Sequence, residues 1–221
     1  MSFISIFDVV GPNMIGPSSS HTAGAASISS IAKKMFGKEI KNVKFILYGS
    51  FAKTYKGHGT DKALLGGSLG FVSDDLRIRD SFDIAKQLGI TYSFEESNIE
   101  LEHPNVVDVC MESKTGDKMV VRGISIGGGK IKIISINNIT LEFFGEYPTL
   151  IIDHLDKKGV LAFITNYLQD NNINIAFMKV YRDAKGEKAH SIIECDDKIN
   201  DNIINALKQN KNILNVVLVQ I

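Results

Sequence analysis

The residues best suited to chemistry lie together in Gly16-Pro17-Ser18-Ser19-Ser20-His21-Thr22-Ala23-Gly24. Three serines, an imidazole and a threonine stand at the head of a segment rich in Ala, Ser and Ile that reads as a helix over 22–36. Hydroxyl side chains there can accept from the free N–H groups of a helix start. Those N–H groups and the helix dipole also favour an anion, such as a carboxylate or phosphate. His21 is the one group of the stretch that titrates near neutral pH, so it can move a proton or hold an anion. A polar helix cap with a surface histidine is the plainer reading of the same residues.

Gly57-His58-Gly59-Thr60-Asp61-Lys62-Ala63 repeats the arrangement, with His, Thr and Asp at a loop-to-helix junction. The flanking glycines let backbone approach a ligand closely. Asp61 can cap the helix or orient a histidine, and a bare cap explains it as well. Two such junctions in one small domain point to a shared pocket. His103-Pro104-Asn105 is a polar corner before a strand and reads first as a turn. Ser125-Ile126-Gly127-Gly128-Gly129 suits a ligand cradle or a hairpin turn. There is no P-loop lysine pattern and no dinucleotide fingerprint. Asp74, Asp75, Asp80 and Asp83, interleaved with Arg77 and Arg79, read as a solvated face and not as a metal site.

The elements that must position these residues are irregular up to about Tyr147. A short helix or strand is expected over 3–10, helices over 22–36, 61–70 and 81–88, and strands over 44–48, 105–111, 119–126 and 130–136. This half reads as α+β with segregated helices. A linker is expected over 144–148, dividing the chain into domains 1–147 and 148–221. The C-terminal part is more regular. A strand over 149–152 and a turn over 153–159 precede a helix over 160–170, with Val160, Phe163, Ile164, Tyr167 and Leu168 at helical spacing. Strands over 173–181 and 189–195 flank an Asp183–Gly186 hairpin. A helix over 199–210 and a strand over 214–221 complete β-α-β-β-α-β, the ferredoxin-like order.

The whole chain sets limits. Its 221 residues allow one or two domains, and 44% hydrophobic residues are enough for packed cores. Lys+Arg and Asp+Glu each total 25, and this zero balance speaks against a nucleic-acid partner. It leaves association with another protein chain unopposed by self-repulsion. Apolar runs fall far short of the ~20 residues of a membrane-spanning helix. With no basic, apolar leader pattern at the N-terminus, the cytoplasm is the expected location. Cys110 and Cys195 read as reduced, buried thiols. Two thiols are too few for a cubane cluster, which usually takes four Cys ligands.

These residues carry a resemblance. The stretches at Gly16–Thr22 and Gly57–Ala63 are similar to the two signatures of iron–sulfur L-serine dehydratase β subunits, and His103–Asn105 and Ser125–Gly129 fall where that family has similar motifs. The C-terminal part resembles an ACT domain, including Asn174-Ile175-Ala176 and the Arg182…Gly186…Ala189 hairpin. Lys158 stands where many ACT domains have Pro before the helix-opening glycine. The resemblance implies an α+β fold, a serine-dehydratase β-type domain followed by a ferredoxin-like ACT domain. It implies conversion of L-serine to pyruvate and ammonia without pyridoxal phosphate. The [4Fe–4S] cluster would be held by a separate α subunit, since this chain lacks that region and its cysteines. It further implies His21 and His58 as catalytic residues. Ser18, Ser19, Thr22, Thr60 and Asp61 would bind substrate, and Asp156, Gly159 and Asn174 would form a regulatory site for a small amino acid. Self-association through the ACT domains would give a dimer of heterodimers. Two other readings use the same residues: a non-catalytic serine-sensing module, and a phosphate- or anion-binding module at 16–22.

Overall fold

The computed structural model describes residues 13–137 and 139–220, so the element expected over 3–10 lies outside the described residues. The chain forms two compact units that divide between Phe144 and Gly145.

The first unit opens with a π-helical turn, Ser19–Ala23, that runs into α1, Gly24–Phe36. Strand β1, Ile40–Tyr48, leads to the short helix α2, Gly49–Thr54, and then to α3, Thr60–Ser68. A 3-10 turn, Leu76–Asp80, and α4, Ser81–Gln87, precede β2, Thr91–Glu96. The meander β3 Asn105–Ser113, β4 Lys118–Gly127, β5 Lys130–Ile136 and β6 Ile139–Phe143 follows. The sheet order is β2-β1-β3-β4-β5-β6, with β1 and β2 parallel and all other pairs antiparallel.

Cross-strand partners point to the same side of a sheet. Leu47, Val107 and Gly123 therefore share a face, as do Phe45, Val109 and Val121. This face is buried under the helices. A Cβ on Gly123 would lie 2.4 Å from Ile28 of α1, so the glycine is what lets that helix sit on the sheet. Likewise, a Cβ on Gly67 would lie 2.3 Å from the Ala26 carbonyl, so α1 and α3 pack backbone to backbone. The opposite face carries Asp108, which is 5% exposed and bonded to Arg122 Nε at 2.5 Å and to Tyr48 Oη at 2.9 Å.

Three elements of this unit stand where the sequence suggested only loop: α2, the exposed edge strand β2 and the last strand β6. β2 holds to the sheet through Phe94, whose ring stacks on Phe45 at 5.1 Å, rather than through an alternating apolar pattern.

The second unit comprises β7 Thr149–Leu155, α5 Val160–Asp170, β8 Ile175–Arg182, β9 Lys188–Cys195, α6 Asp201–Lys208 and β10 Ile213–Val219. Its antiparallel order, β10-β7-β9-β8, is the ferredoxin-like arrangement. Val160, Ile164 and Leu168 of α5 and Ile203 and Leu207 of α6 close over Leu150, Ile152 and Ile193. Gly159, at φ 86°, opens α5, and the Asn200 side chain caps α6 by accepting from the Ile203 N–H at 3.2 Å. The expected turn at 153–159 is shorter than the sequence suggested, because β7 runs on to Leu155. Asp153 and His154 stay in the strand because each has a cross-strand partner. Asp153 Oδ1 lies 2.7 Å from His190 Nδ1, and His154 Nε2 lies 2.9 Å from Ser191 Oγ. Among the described residues no helix is long and apolar enough to cross a membrane.

Candidate active site

The two glycine-flanked junctions of the first unit meet. Ser18, in extended conformation, accepts the His21 N–H on its Oγ at 3.2 Å, and its carbonyl accepts from the Thr22 N–H. The π turn closes when the Gly24 N–H donates to the Ser19 carbonyl five residues back. Such wide turns recur at functional sites. Thr22 turns inward, where its Oγ1 accepts from the Ser18 N–H at 3.3 Å. Gly16 has φ 124°, and a Cβ there would lie 2.4 Å from Thr22. Gly24 rests on the end of β4, where a Cβ would lie 2.1 Å from Ser125 Oγ.

These contacts aim His21 at the second junction. Its ring centroid lies 4.9 Å from that of His58 and 5.2 Å from that of Phe51. Nδ1 lies 3.1 Å from Ser20 Oγ and 3.5 Å from Ser18 Oγ, and Nε2 lies 2.9 Å from Ser50 Oγ. Burial, and then the nearby His58, hold the His21 imidazole below the ordinary histidine range. It is therefore set to be neutral at physiological pH and able to accept a proton.

Gly59, at φ 68°, makes the sharp entry into α3. Thr60 is fully buried there, and its hydroxyl has no hydrogen-bond partner among the described residues. Asp61 does not cap the helix, since Gly59 occupies the cap position. Its Oδ1 instead accepts from the Lys62 N–H at 2.8 Å, and burial raises its carboxyl above the usual range. A cleft separates Gly16, Pro17 and Thr22 from His58, Gly59 and Lys62, and Lys56 and Arg79 also line it. Three cations and a histidine make it an anion-friendly surface. Arg79 belongs to the segment read as a solvated face. Its neighbour Arg77 fits that reading, in an exposed pair with Asp75 at 2.6 Å, but Arg79 reaches the cleft.

The structure thus brings together Ser18, His21, Thr22 and His58, with Ser19 and, at the start of α3, Thr60 and Asp61 as their neighbours along the chain. It adds Ser50, Lys56, Lys62 and Arg79, which sequence reasoning missed. Lys56 flanks the Gly57–Ala63 motif and Lys62 lies within it, and both could have been read as its charge. Ser50 had no local signal. His103 lies at the start of β3, where its Nδ1 accepts from the Asn105 N–H at 3.1 Å.

The three residues assigned to a regulatory site do not converge. Asp156 accepts from the Gly186 N–H at 2.9 Å and pairs with Arg182 at 3.3 Å, which ties the loop before α5 to the β8–β9 hairpin and lowers its carboxyl. Gly159 lies near it. Asn174 lies at the opposite end of the sheet, bonded to Asp196 at 2.6 Å and to Asp197 at 3.0 Å. The reason is topological: β8 starts beside Cys195, whereas β7 ends beside Lys188.

The described residues do not fit a [4Fe–4S] cluster. Its usual donor set is four thiolates. Cys110 and Cys195 lie in different units, and burial pushes both thiols up to about 11. Among the described residues no three His, Cys, Asp or Glu side chains are grouped to hold a metal ion.

Comparison with known proteins gives this geometry a lineage. A model of the serine dehydratase beta chain family matches residues 2–92, and the ACT domain model matches 148–212. The probable L-serine dehydratase beta chain of Bacillus subtilis (strain 168) is 43% identical over 98% of both chains. The L-serine dehydratase beta chain of Peptoniphilus asaccharolyticus is 40% identical over 94% of both. A D-3-phosphoglycerate dehydrogenase of Bacillus subtilis (strain 168) is 29% identical over 89% of this chain and 37% of that protein. Both junctions that meet at His21 and His58 fall inside the first matched segment. The chain belongs to the serine dehydratase beta chain family, with an ACT domain following the family's own domain.

Proposed function

We propose that this chain is the β subunit of a cytoplasmic L-serine dehydratase, which releases pyruvate and ammonia together with an α subunit that carries a [4Fe–4S] cluster. The observation that carries this reading is the contact between the two junctions. It sets a neutral, hydroxyl-bonded His21 against His58, the ring planes tilted by 36°, beside a cationic cleft. In this reading the cleft takes the substrate carboxylate, with Lys56, Lys62 and Arg79 supplying charge and Ser18, Ser19, Thr22 and Thr60 supplying hydroxyl and helix-start contacts. His21 accepts or returns a proton, His58 holds the site beside it, and Asp61 orients the start of α3. The ACT unit binds a small amino acid and pairs with a second copy, with Asp156 and Gly159 as the loop that would meet an effector. Asn174 would take part only from the far end of the sheet.

A second reading is a serine sensor without chemistry. It is favoured by the likeness to the phosphoglycerate dehydrogenase, where a matching region makes up little more than a third of the protein. Anaerobic pyruvate formation from L-serine, by this chain alone and co-purified with the α subunit, separates the two. Activity in the pair only, lost in air, supports the dehydratase. Serine binding to the lone chain with no pyruvate from either preparation supports the sensor.

A further inference from the structure

The five histidines of the chain form an internal comparison. Four of them have Nδ1 fixed by a group that can play only one role. His58 Nδ1 faces the Thr54 carbonyl at 3.3 Å, and His154 Nδ1 faces the Leu155 carbonyl at 2.9 Å. His190 Nδ1 faces the Asp153 carboxylate at 2.7 Å, and His103 Nδ1 faces the Asn105 N–H at 3.1 Å. A carbonyl or carboxylate can only accept and an N–H can only donate, so each contact selects one tautomer. His21 is different, because hydroxyls stand at both of its nitrogens, Ser20 at 3.1 Å and Ser50 at 2.9 Å. A hydroxyl can rotate to donate or to accept, so either tautomer of His21 is satisfied equally well. The chain of hydroxyls continues, since Ser20 Oγ lies 3.3 Å from Ser18 Oγ.

Ser50 is held firmly for this. Its N–H donates to the Pro104 carbonyl at 2.7 Å, and its carbonyl accepts from Thr54 Oγ1 at 2.8 Å. Before it, Gly49 has φ 55°, and a Cβ there would lie 2.5 Å from the Pro104 carbonyl oxygen. The loop before β3 and the start of α2 therefore fix Ser50 against Nε2. The titratable group touching the His21 ring is His58, and the other ring contact is Phe51.

We propose that Ser50, His21, Ser20 and Ser18 form a proton relay in which the imidazole passes a proton from one side to the other by changing tautomer. Ser50 Oγ gives its proton to Nε2 as it takes one from solvent, Nδ1 gives its own to Ser20 Oγ, Ser20 passes its proton to Ser18 Oγ, and Ser18 returns one to solvent, so every oxygen gains a proton as it loses one. The ring is neutral before and after with its N–H moved from Nδ1 to Nε2, and the same steps run backwards restore the first tautomer. Ser50 is thus a positioning residue that acts through His21. This assignment rests on the dehydratase reading for its purpose, but not for its test.

The test is long-range proton–nitrogen NMR of the full-length chain above the titration of His21. The relay predicts intermediate nitrogen shifts for His21, averaged over both tautomers, and single tautomers for His58, His103 and His154; His190, with a carboxylate facing each nitrogen, stands outside this prediction. In Ser50→Ala an N–H on Nε2 would lose its acceptor, so His21 should collapse to the Nδ1–H form. Ser50→Thr, which keeps the hydroxyl, should restore the averaging. A single pure tautomer for His21 in the unsubstituted chain overturns the relay even if Ser50→Ala fails to fold. In the assembled enzyme, His21→Ala and Ser50→Ala should be non-additive, the double variant being no slower than His21→Ala. Additive losses would also overturn the proposal. Averaged tautomers without pyruvate formation would instead remove the dehydratase reading and leave the relay standing.

Discussion

His21 in the first unit and His154 in the ACT unit each have a serine hydroxyl 2.9 Å from Nε2. They differ in what surrounds that bond. His154 is 2% exposed, lies within β7, and has its other nitrogen fixed by a backbone carbonyl. Its ring joins two strands, and the carbonyl at Nδ1 selects one tautomer. His21 lies at a helix start, half-buried, between hydroxyls and against a second imidazole. The same pair of residue types is a cross-strand tie in one place and, in the proposed function, a proton-handling group in the other. What distinguishes them is the freedom of the partner atoms, not the residue types.

The largest expected effect comes from exchanging the two. His21→Ala should lower kcat/KM for serine by roughly 10²-fold or more, the usual loss for a group in acid–base catalysis. His154→Ala should leave turnover per folded molecule little changed. In denaturant unfolding the order reverses. His154→Ala leaves a cavity and a buried Ser191 hydroxyl without a partner, and should cost about 2–4 kcal/mol. His21→Ala should cost about 1 kcal/mol or less, since the exposed side of its site can take up water. Similar losses of activity in both variants would break the comparison.

Two glycines of the first unit, at the starts of α2 and α3, sharpen it further. Gly49→Ala forces a left-handed backbone onto alanine and a contact of 2.5 Å with the Pro104 carbonyl oxygen. It should cost about 2–3 kcal/mol, combining backbone strain with displacement of a neighbouring backbone group. Gly59→Ala meets nothing within 4 Å and should cost only the left-handed term, about 1 kcal/mol. Equal melting temperatures for the two variants would contradict the packing described at Pro104.

The smallest effect is on pH dependence. His21 titrates below its unfolded value in the folded chain. As pH falls through the ordinary histidine range, the unfolded state binds the proton first. Stability from this group is therefore complete above about pH 7 and declines on acidification toward pH 5. His103, also lowered by burial, contributes in the same direction. His21→Asn should flatten this decline in urea titrations between pH 7 and 5, and an unchanged slope would count against the burial of the ring.

Much of this was legible in the sequence because the signals were local. Val160, Ile164 and Leu168 lie on one helical stripe, so the ACT order could be read from periodicity. Ser18, His21, His58 and Thr60 cluster in two short motifs, so their types declared a polar junction. Ser50 could not be found that way. It is one serine after a strand, and only the fold brings it to a ring 29 positions away. β2 escaped for a similar reason, since an exposed edge strand reading Thr-Tyr-Ser-Phe-Glu-Glu lacks a buried alternating face. Asp153 and His154 resembled a turn because their partners, His190 and Ser191, lie 37 positions further on. Asn174 was grouped with the loop before α5 although strand order sends it to the other end of the sheet.

The most direct test of the account is anaerobic serine turnover by the α/β pair reconstituted with three forms of this chain: unsubstituted, His21→Ala and His154→Ala. The account predicts pyruvate from the first and third, normalised to folded protein, and a loss of roughly 10²-fold or more with the second. Pyruvate formed at the unsubstituted rate by the His21→Ala pair would contradict it.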